Sequence, residues 1–251
     1  MKNIIGENNK FSFVLKDGNE ITEFTKKEEE LIEKFSLLVH GNNNIVSIKV
    51  DNREDIEKFL SKKGFALYLY GHNNTVNIGK LLCPVNEPLG LTGLAINIGN
   101  PPEDTIDPGV NRYASNCRID IGDNVIVCGA RLFLQDDNSS IKIGNDCMFS
   151  WGIDVWCTDV HTITDMDGNP LNFGKSIEIG NHVWVGRDVK IGKNTKISDD
   201  SIVGWASVVT KKFDETNVIV AGNPAKIVKR EINWDFHDLQ NYQLNRMKKF
   251  S

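Results

Sequence analysis

Residues 179–214, read six at a time, are IGNHVW (179–184), VGRDVK (185–190), IGKNTK (191–196), ISDDSI (197–202), VGWASV (203–208) and VTKKFD (209–214). The leading place is held by Ile179, Val185, Ile191, Ile197, Val203 and Val209, an aliphatic residue every time. Glycine follows it at Gly180, Gly186, Gly192 and Gly204, and a small or β-branched residue stands four places after it at Val183, Val189, Thr195, Ser201 and Ser207. A helix sampled at every sixth residue drifts off any one face, and a lone strand alternates. A period of six with glycine beside the aliphatic is that of a β-helix made of hexapeptides. Each hexapeptide forms one flat side, and three sides close a coil of about 18 residues. The leading side chain points inward and the next coil covers it, which stabilises by about 1.5–3 kcal/mol per buried side chain.

Working outward, the pattern aliphatic-x-Ile-Gly recurs at 76–79, 96–99, 119–122, 141–144 and 177–180. Its steps of 20, 23, 22 and 36 residues read as one coil plus two, five and four extra residues, and then two coils. HGNNNIVSI at 40–48 is answered by HNNTVNIG at 72–79. Asn suits coil corners because it tolerates left-handed backbone angles. One continuous β-helix over 36–220 follows, with small corner insertions of which AsnProProGluAsp at 100–104 is the clearest. An ordinary antiparallel sheet is the alternative for the Asn-rich part.

Residues 1–35 lack the repeat and form a separate lead-in. KFSFVL at 10–15 reads as a strand, AspGly at 17–18 as a turn, and 25–35 as a short helix or a charged connector. From Ile143 through Phe149 and Val155 the strict period would put His161 in an inward slot. Either Val160 takes that slot and the frame slips by one, or the coil opens there. The polar segment 162–175, with its AspGly-AsnPro turn, reads as a loop ejected from the coil. Residues 221–229 close the repeat. A C-terminal helix at 235–250, N-capped by Asp235, would cover the open end.

The 251 residues fit one elongated solenoid, and 34 acidic against 29 basic side chains leave no basic stripe for nucleic acid. No run of 18 apolar residues predicts a membrane span, and MKNIIGENNK lacks the apolar core of a signal peptide. The five cysteines (83, 117, 128, 147 and 157) have no metal-knuckle spacing. Buried structural thiols in a reducing cytoplasm are the reading.

IGNHVWVGRDVKIG, VGWASVVTKKF and AGNPAKIVK resemble the C-terminal half of the hexapeptide acyltransferases. Among these the chain is most similar to the branch that O-acetylates bacterial polysaccharides, capsular polysialic acid included. TDVHTITDMDGNPLNFGK (158–175) resembles that branch's active-site histidine with its loop, and INWD (232–235) its tail. The close similarity spans about 143–235. The resemblance implies a left-handed parallel β-helix, against the right-handed rule for parallel crossovers, and a homotrimer with active sites between subunits. It implies acetyl-CoA as donor and a glycan or sugar as acceptor, with no metal. Zinc-dependent hexapeptide enzymes use three histidines, and here only His161 and His182 lie in the relevant coils.

Acetyl transfer from a thioester to a hydroxyl needs a base, and histidine, with an unperturbed pKa near about 6.5, suits the task. His161 is the candidate, with Asp159 two residues earlier as its orienter if both lie on a strand. Trp184, outward because Val185 is inward, matches the tryptophan that borders the family's site. Trp151 and Trp156 are candidates for an acceptor platform, and Asn172 matches a loop asparagine of the family. Gly186 and Gly204 would leave a bare wall for the pantetheine arm, so a leucine there should block acetyl-CoA while the coil stays folded. The family's GlyAlaGlySer is replaced by GlyTrpAlaSer, placing Trp205 and Ala206 on the donor path. Lys211, Lys212, Lys226 and Lys229 would meet the CoA phosphates. The alternatives are an acetyltransferase of a nucleotide-linked amino sugar or small alcohol, or a β-helical scaffold without chemistry.

Overall fold

Ile179, Val185, Ile191, Ile197, Val203 and Val209 are all buried, none more than 1 % exposed, and each lies in one of three parallel sheets. The computed structural model describes residues 2–61, 64–82, 93–100 and 113–249. Successive leading residues step from a nine-stranded to a six-stranded to an eight-stranded sheet and back, so equivalent places 18 residues apart stack directly. Ile179 pairs in register with Ile197, Val185 with Val203, and Ile191 with Val209. The core is therefore a set of axial columns. One of them runs Phe13, Ile48, Ile78, Ile121, Ile143, Ile179, Ile197, Phe213 through the nine-stranded sheet.

The coil begins earlier than its sequence pattern. Strand Lys10–Val14 pairs in parallel with Ile45–Lys49, and Ile4–Ile5 with Ser36–His40, so the lead-in expected before residue 36 is part of the solenoid from Ile4 onward. The repeat is illegible there because helices take the place of the third side. Helix α1 (Lys26–Lys34) and helix α2 (Glu54–Leu60) bury Ile32, Ile56 and Leu60 where later coils carry strands of the six-stranded sheet. Thr25 caps α1 in a capping box with Glu28, whose buried carboxylate also meets Arg53 at 2.9 Å. Phe11, Phe13, Phe24, Phe35, Phe59 and Phe65 fill the space under the helices as an aromatic chain with centroids 5.2–6.2 Å apart. The Asn-rich stretch is parallel coil, not an antiparallel sheet. Asn43, Asn73 and Asn116 hold left-handed corners and their side chains bond in a ladder.

Two readings of the spacing change. Strand Gly93–Ile98 belongs to the eight-stranded sheet, so the true neighbour of Val76 in its own sheet is Ile119, and the early coils are larger than 20–23 residues. Ile141 pairs directly with Ile177, so the 36-residue step is one coil with a loop expelled from it, not two coils. The proposed 100–104 insertion from residue 101 onward, and Cys83, lie outside the described residues.

Strand Lys226–Lys229 folds back antiparallel on Ile219–Ala221 and closes the six-stranded sheet. The last helix, α3 (Leu239–Lys249), starts later than expected: Asp238 accepts the Asn241 N–H at 3.0 Å and caps it, whereas Asp235 bonds His237. Leu239, Tyr242 and Leu244 on it are exposed, so it does not seal the solenoid end. No described helix is long and apolar enough to cross a membrane. Burial pushes the Cys147 thiol up to about 12 and the Cys157 thiol up to about 11, as inert core thiols require.

Candidate active site

The coil opens after strand Ile153–Trp156. Cys157 still occupies an inward place, but the backbone then turns at Val160, whose φ is 66°, and His161 emerges exposed at the start of the loop. A left-handed valine is costly by itself, and bonds on both sides of the turn hold it. The Val160 N–H donates to Thr158 Oγ1 at 2.9 Å and the His161 N–H to the Asp159 carbonyl at 2.7 Å. The loop beyond is a small hairpin in which Thr164 bridges Pro170 and Asp165 gathers the amides of Asp167 and Asn169. Ile163, Met166, Leu171 and Phe173 stand exposed on it.

Asp159 does not orient His161. The turn at Val160 takes the two off any common strand face, and the Asp159 carboxylate is engaged by Lys193 at 2.6 Å and by Asn172 Nδ2 at 2.8 Å. Lys193, then Asn172, holds the Asp159 carboxyl below the usual range, so it stays ionised near neutrality. Asn172 is likewise spent inside the loop. Its Nδ2 also donates to the His161 carbonyl and its Oδ1 accepts the Ile163 N–H, both at 2.8 Å, so it braces the turn and has little left for a substrate.

Trp184 projects outward from the six-stranded sheet, as its place beside Val185 requires, and its Nε1 donates to Ser150 Oγ at 3.4 Å. The tail crosses it. Trp234 tilts over Trp184 with centroids 6.1 Å apart, stacks on His182 at 4.3 Å and 11°, and donates its Nε1 to the His182 carbonyl at 2.8 Å. Trp184 lies in the middle of one side of the prism, while His161 lies at the corner between the other two sides. One chain does not bring the two together. Trp156 lies edge-on to Phe133 at 5.0 Å with the Arg131 guanidinium 5.1 Å over its ring, so its face is occupied. The Nε1 atoms of Trp151 and Trp156 are buried without a partner.

The donor wall also differs from its reading. Gly186 and Gly204 give their N–H groups to Val203 and Val220 of the next coil at 2.9 and 2.8 Å, leaving no free amide there for pantetheine. A Cβ on Gly186 would stand 2.8 Å from the Val203 carbonyl oxygen, and one on Gly204 2.8 Å from the Ala221 Cβ. These glycines admit the neighbouring coil; they do not bare a wall. Trp205 is 67 % exposed, with Nε1 3.4 Å from Asp188 Oδ2 and Arg187 beside its ring, and Ala206 holds a left-handed corner at φ 55°. Lys211, Lys212, Lys226 and Lys229 are exposed but divided: Lys212 is in the nine-stranded sheet, Lys226 and Lys229 in the six-stranded one. They form no single phosphate patch. Lys193 and Ser150 carry contacts that nothing in their sequence context distinguished, and Trp234, within the INWD tail, carries contacts that the resemblance did not assign.

No family profile matches the chain, and no curated protein matches it. Among solved structures, the polysialic acid O-acetyltransferase OatWY superposes with a TM-score of 0.64 and 25 % identity, over 99 % of this chain and 100 % of that one. The polySia-specific acetyltransferase NeuO gives 0.48 at 21 % identity over 100 % of both chains, and a galactoside acetyltransferase in complex with coenzyme A gives 0.44 at 22 % over 84 % of both. At TM-scores below 0.5 the latter two add nothing to the first. The chain is a structural match, along its whole length, to the hexapeptide-repeat acetyltransferases.

Proposed function

We propose that the chain is an acetyl-CoA-dependent O-acetyltransferase of a glycan hydroxyl, a sialic acid polymer first among acceptors, with sites completed between copies of a homotrimer. The observation that carries this reading is the exposed, braced His161 turn at the root of an expelled loop, in a chain that matches a polysialic acid O-acetyltransferase end to end. The His161 imidazole takes the proton of the acceptor hydroxyl as its oxygen attacks the thioester carbonyl carbon. The carbon–sulfur bond breaks, the acetyl group passes to the sugar, and CoA leaves as a thiolate that receives the proton. Trp184, a half-buried aromatic with an indole donor, borders the site from the neighbouring subunit.

The test is incubation of the protein and acetyl-CoA with a panel of glycans, sialylated and neutral, followed by mass spectrometry. A gain of one acetyl mass on a sialylated oligomer is the expected result. Acetylation of only nucleotide-linked amino sugars or small alcohols would move the reading to that class, and no acetylation with no thiol release would leave a scaffold.

Placement of His161 and Trp184 on different sides of one chain supports a site shared between copies, as do the exposed Ile163, Met166, Leu171 and Phe173. A ring of three joins unlike surfaces of neighbouring subunits. Light scattering at micromolar concentration should give the mass of three chains; a monomer mass would sink the shared site.

A further inference from the structure

Two residues, one on each limb of the expelled loop, converge on one lysine of the coil. The Lys193 ammonium lies 2.6 Å from Asp159 Oδ2 and donates to the Asn172 carbonyl, the first residue preceding His161 and the second near the loop's return. Asn172 ties His161 by its carbonyl and Ile163 by its amide, each at 2.8 Å. Lys193 follows strand Lys190–Gly192 in the succeeding coil and leads into a left-handed corner at Asn194, φ 61°, so its own backbone is fixed by the stack. Its side chain is only 17 % exposed. A surface lysine loses its ion pair to water and side-chain freedom; here the lysine end is sheltered while the Asp159 side chain is 40 % exposed, and the lysine has acceptors on two limbs of the same loop.

We propose that Lys193 is a positioning residue for acetyl transfer: through Asp159 and Asn172 it fixes the turn that carries His161, and with it the imidazole's approach to the acceptor hydroxyl. The inference rests on the reading of His161 as the base. Lys193 touches neither donor nor acceptor, and its effect passes through backbone position, where a displacement of about 1 Å is worth about 10²-fold in rate. Neutralising it removes the donor that bridges the limbs and leaves the Asp159 charge held by Asn172 alone. The ion pair is sound under assay conditions: with the Asp159 pKa depressed in the fold, its stabilisation is present above the ordinary carboxylate pKa and is lost only as pH falls through the depressed value.

The experiment compares Lys193→Met, which keeps the stem without the charge, and Lys193→Arg, which keeps charge and donors, each in the native and the His161→Ala backgrounds. Thiol release from acetyl-CoA with a sialylated oligomer, melting temperature and amide exchange at Ile163 are read on the same samples. Lys193→Met should lower kcat by about 10- to 100-fold, with the KM for acetyl-CoA within about twofold and faster exchange at Ile163. Lys193→Arg should recover most of the loss, and in the His161→Ala background Lys193→Met should cost almost nothing more, because the two act as a unit. A Lys193→Met protein that keeps more than about a third of native kcat overturns the proposal, as does one whose loss matches its unfolded fraction, given the size of the expected effect. If His161→Ala alone keeps its rate, the reading of the base falls. A Lys193→Met effect that persists in that background makes the lysine a plain structural tie.

Discussion

His161→Ala should give a folded protein that has lost acetyl transfer by about 10²–10⁴-fold, the usual cost of removing a general base. In barrier height that is roughly 3–5 kcal/mol. The loss should fall on kcat, because the imidazole acts on the acceptor hydroxyl and has no part in holding CoA. The fold should be indifferent. His161 is exposed, so truncation opens no core cavity, and its contributions to the turn are a backbone N–H and a backbone carbonyl that alanine retains. The strict six-residue period had offered a rival, a histidine in the inward slot whose loss would lower the melting temperature and cut activity only through unfolding. The coil opens before that slot is reached, which leaves the rival without a cavity to create. Thiol release and melting temperature on one sample separate the accounts. A well-folded variant that keeps more than about a tenth of the rate would remove His161 from the chemistry.

What the sequence made legible follows from where the repeat is regular. From 179 to 209 every leading place is aliphatic and Ile179, Val185 and Ile191 each stack on the residue 18 places later, so periodicity alone places Ile179 over Ile197 and Trp184 outward. The N-terminal coils obey the same stacking, with Phe11 over Val46 over Val76, but their third side is helical. A period broken by α1 and α2 cannot be seen as a period. The spacing of 36 residues admitted two coils or one coil with a loop, and only the pairing of Ile141 with Ile177 decides. The site was legible in part for a related reason. A histidine before a polar loop with an AspGly-AsnPro turn is visible in one dimension. The engagement of Asp159 by Lys193 is not, because the partners belong to successive coils and an ordinary lysine in IGKNTK carries no mark of its neighbour. Trp234 sits 52 residues from the His182 carbonyl it bonds, beyond any local pattern.

Gly186→Leu should destabilise the coil before it touches any ligand. Gly186 has an ordinary backbone, so the requirement is one of space: its Cβ would stand 2.8 Å from the Val203 carbonyl oxygen and 3.0 Å from the Trp205 amide nitrogen, both main-chain atoms of the succeeding coil. A flexible side chain could swing aside, whereas these atoms belong to a hydrogen-bonded ladder that includes Gly186 N–H to Val203 O at 2.9 Å. Overpacking of this kind costs about 1–3 kcal/mol, or more where rigid backbone must shift. For a chain of this size that is a fall in melting temperature of roughly 2–12 °C. Gly192 supplies the control. Its Cβ would approach nothing closer than 3.6 Å, from Val209 O, and its φ is not in the left-handed region, so Gly192→Ala should melt within about a degree or two of the native protein. The sequence alone argued for the opposite pattern, in which leucine at 186 leaves the fold intact and blocks the pantetheine arm. Scanning fluorimetry and calorimetric titration with CoA on the same variants decide. A Gly186→Leu protein with the native melting temperature and no CoA binding would restore the glycine to the donor path, and a large loss of stability with Gly192→Ala unaffected would make it a spacer between coils.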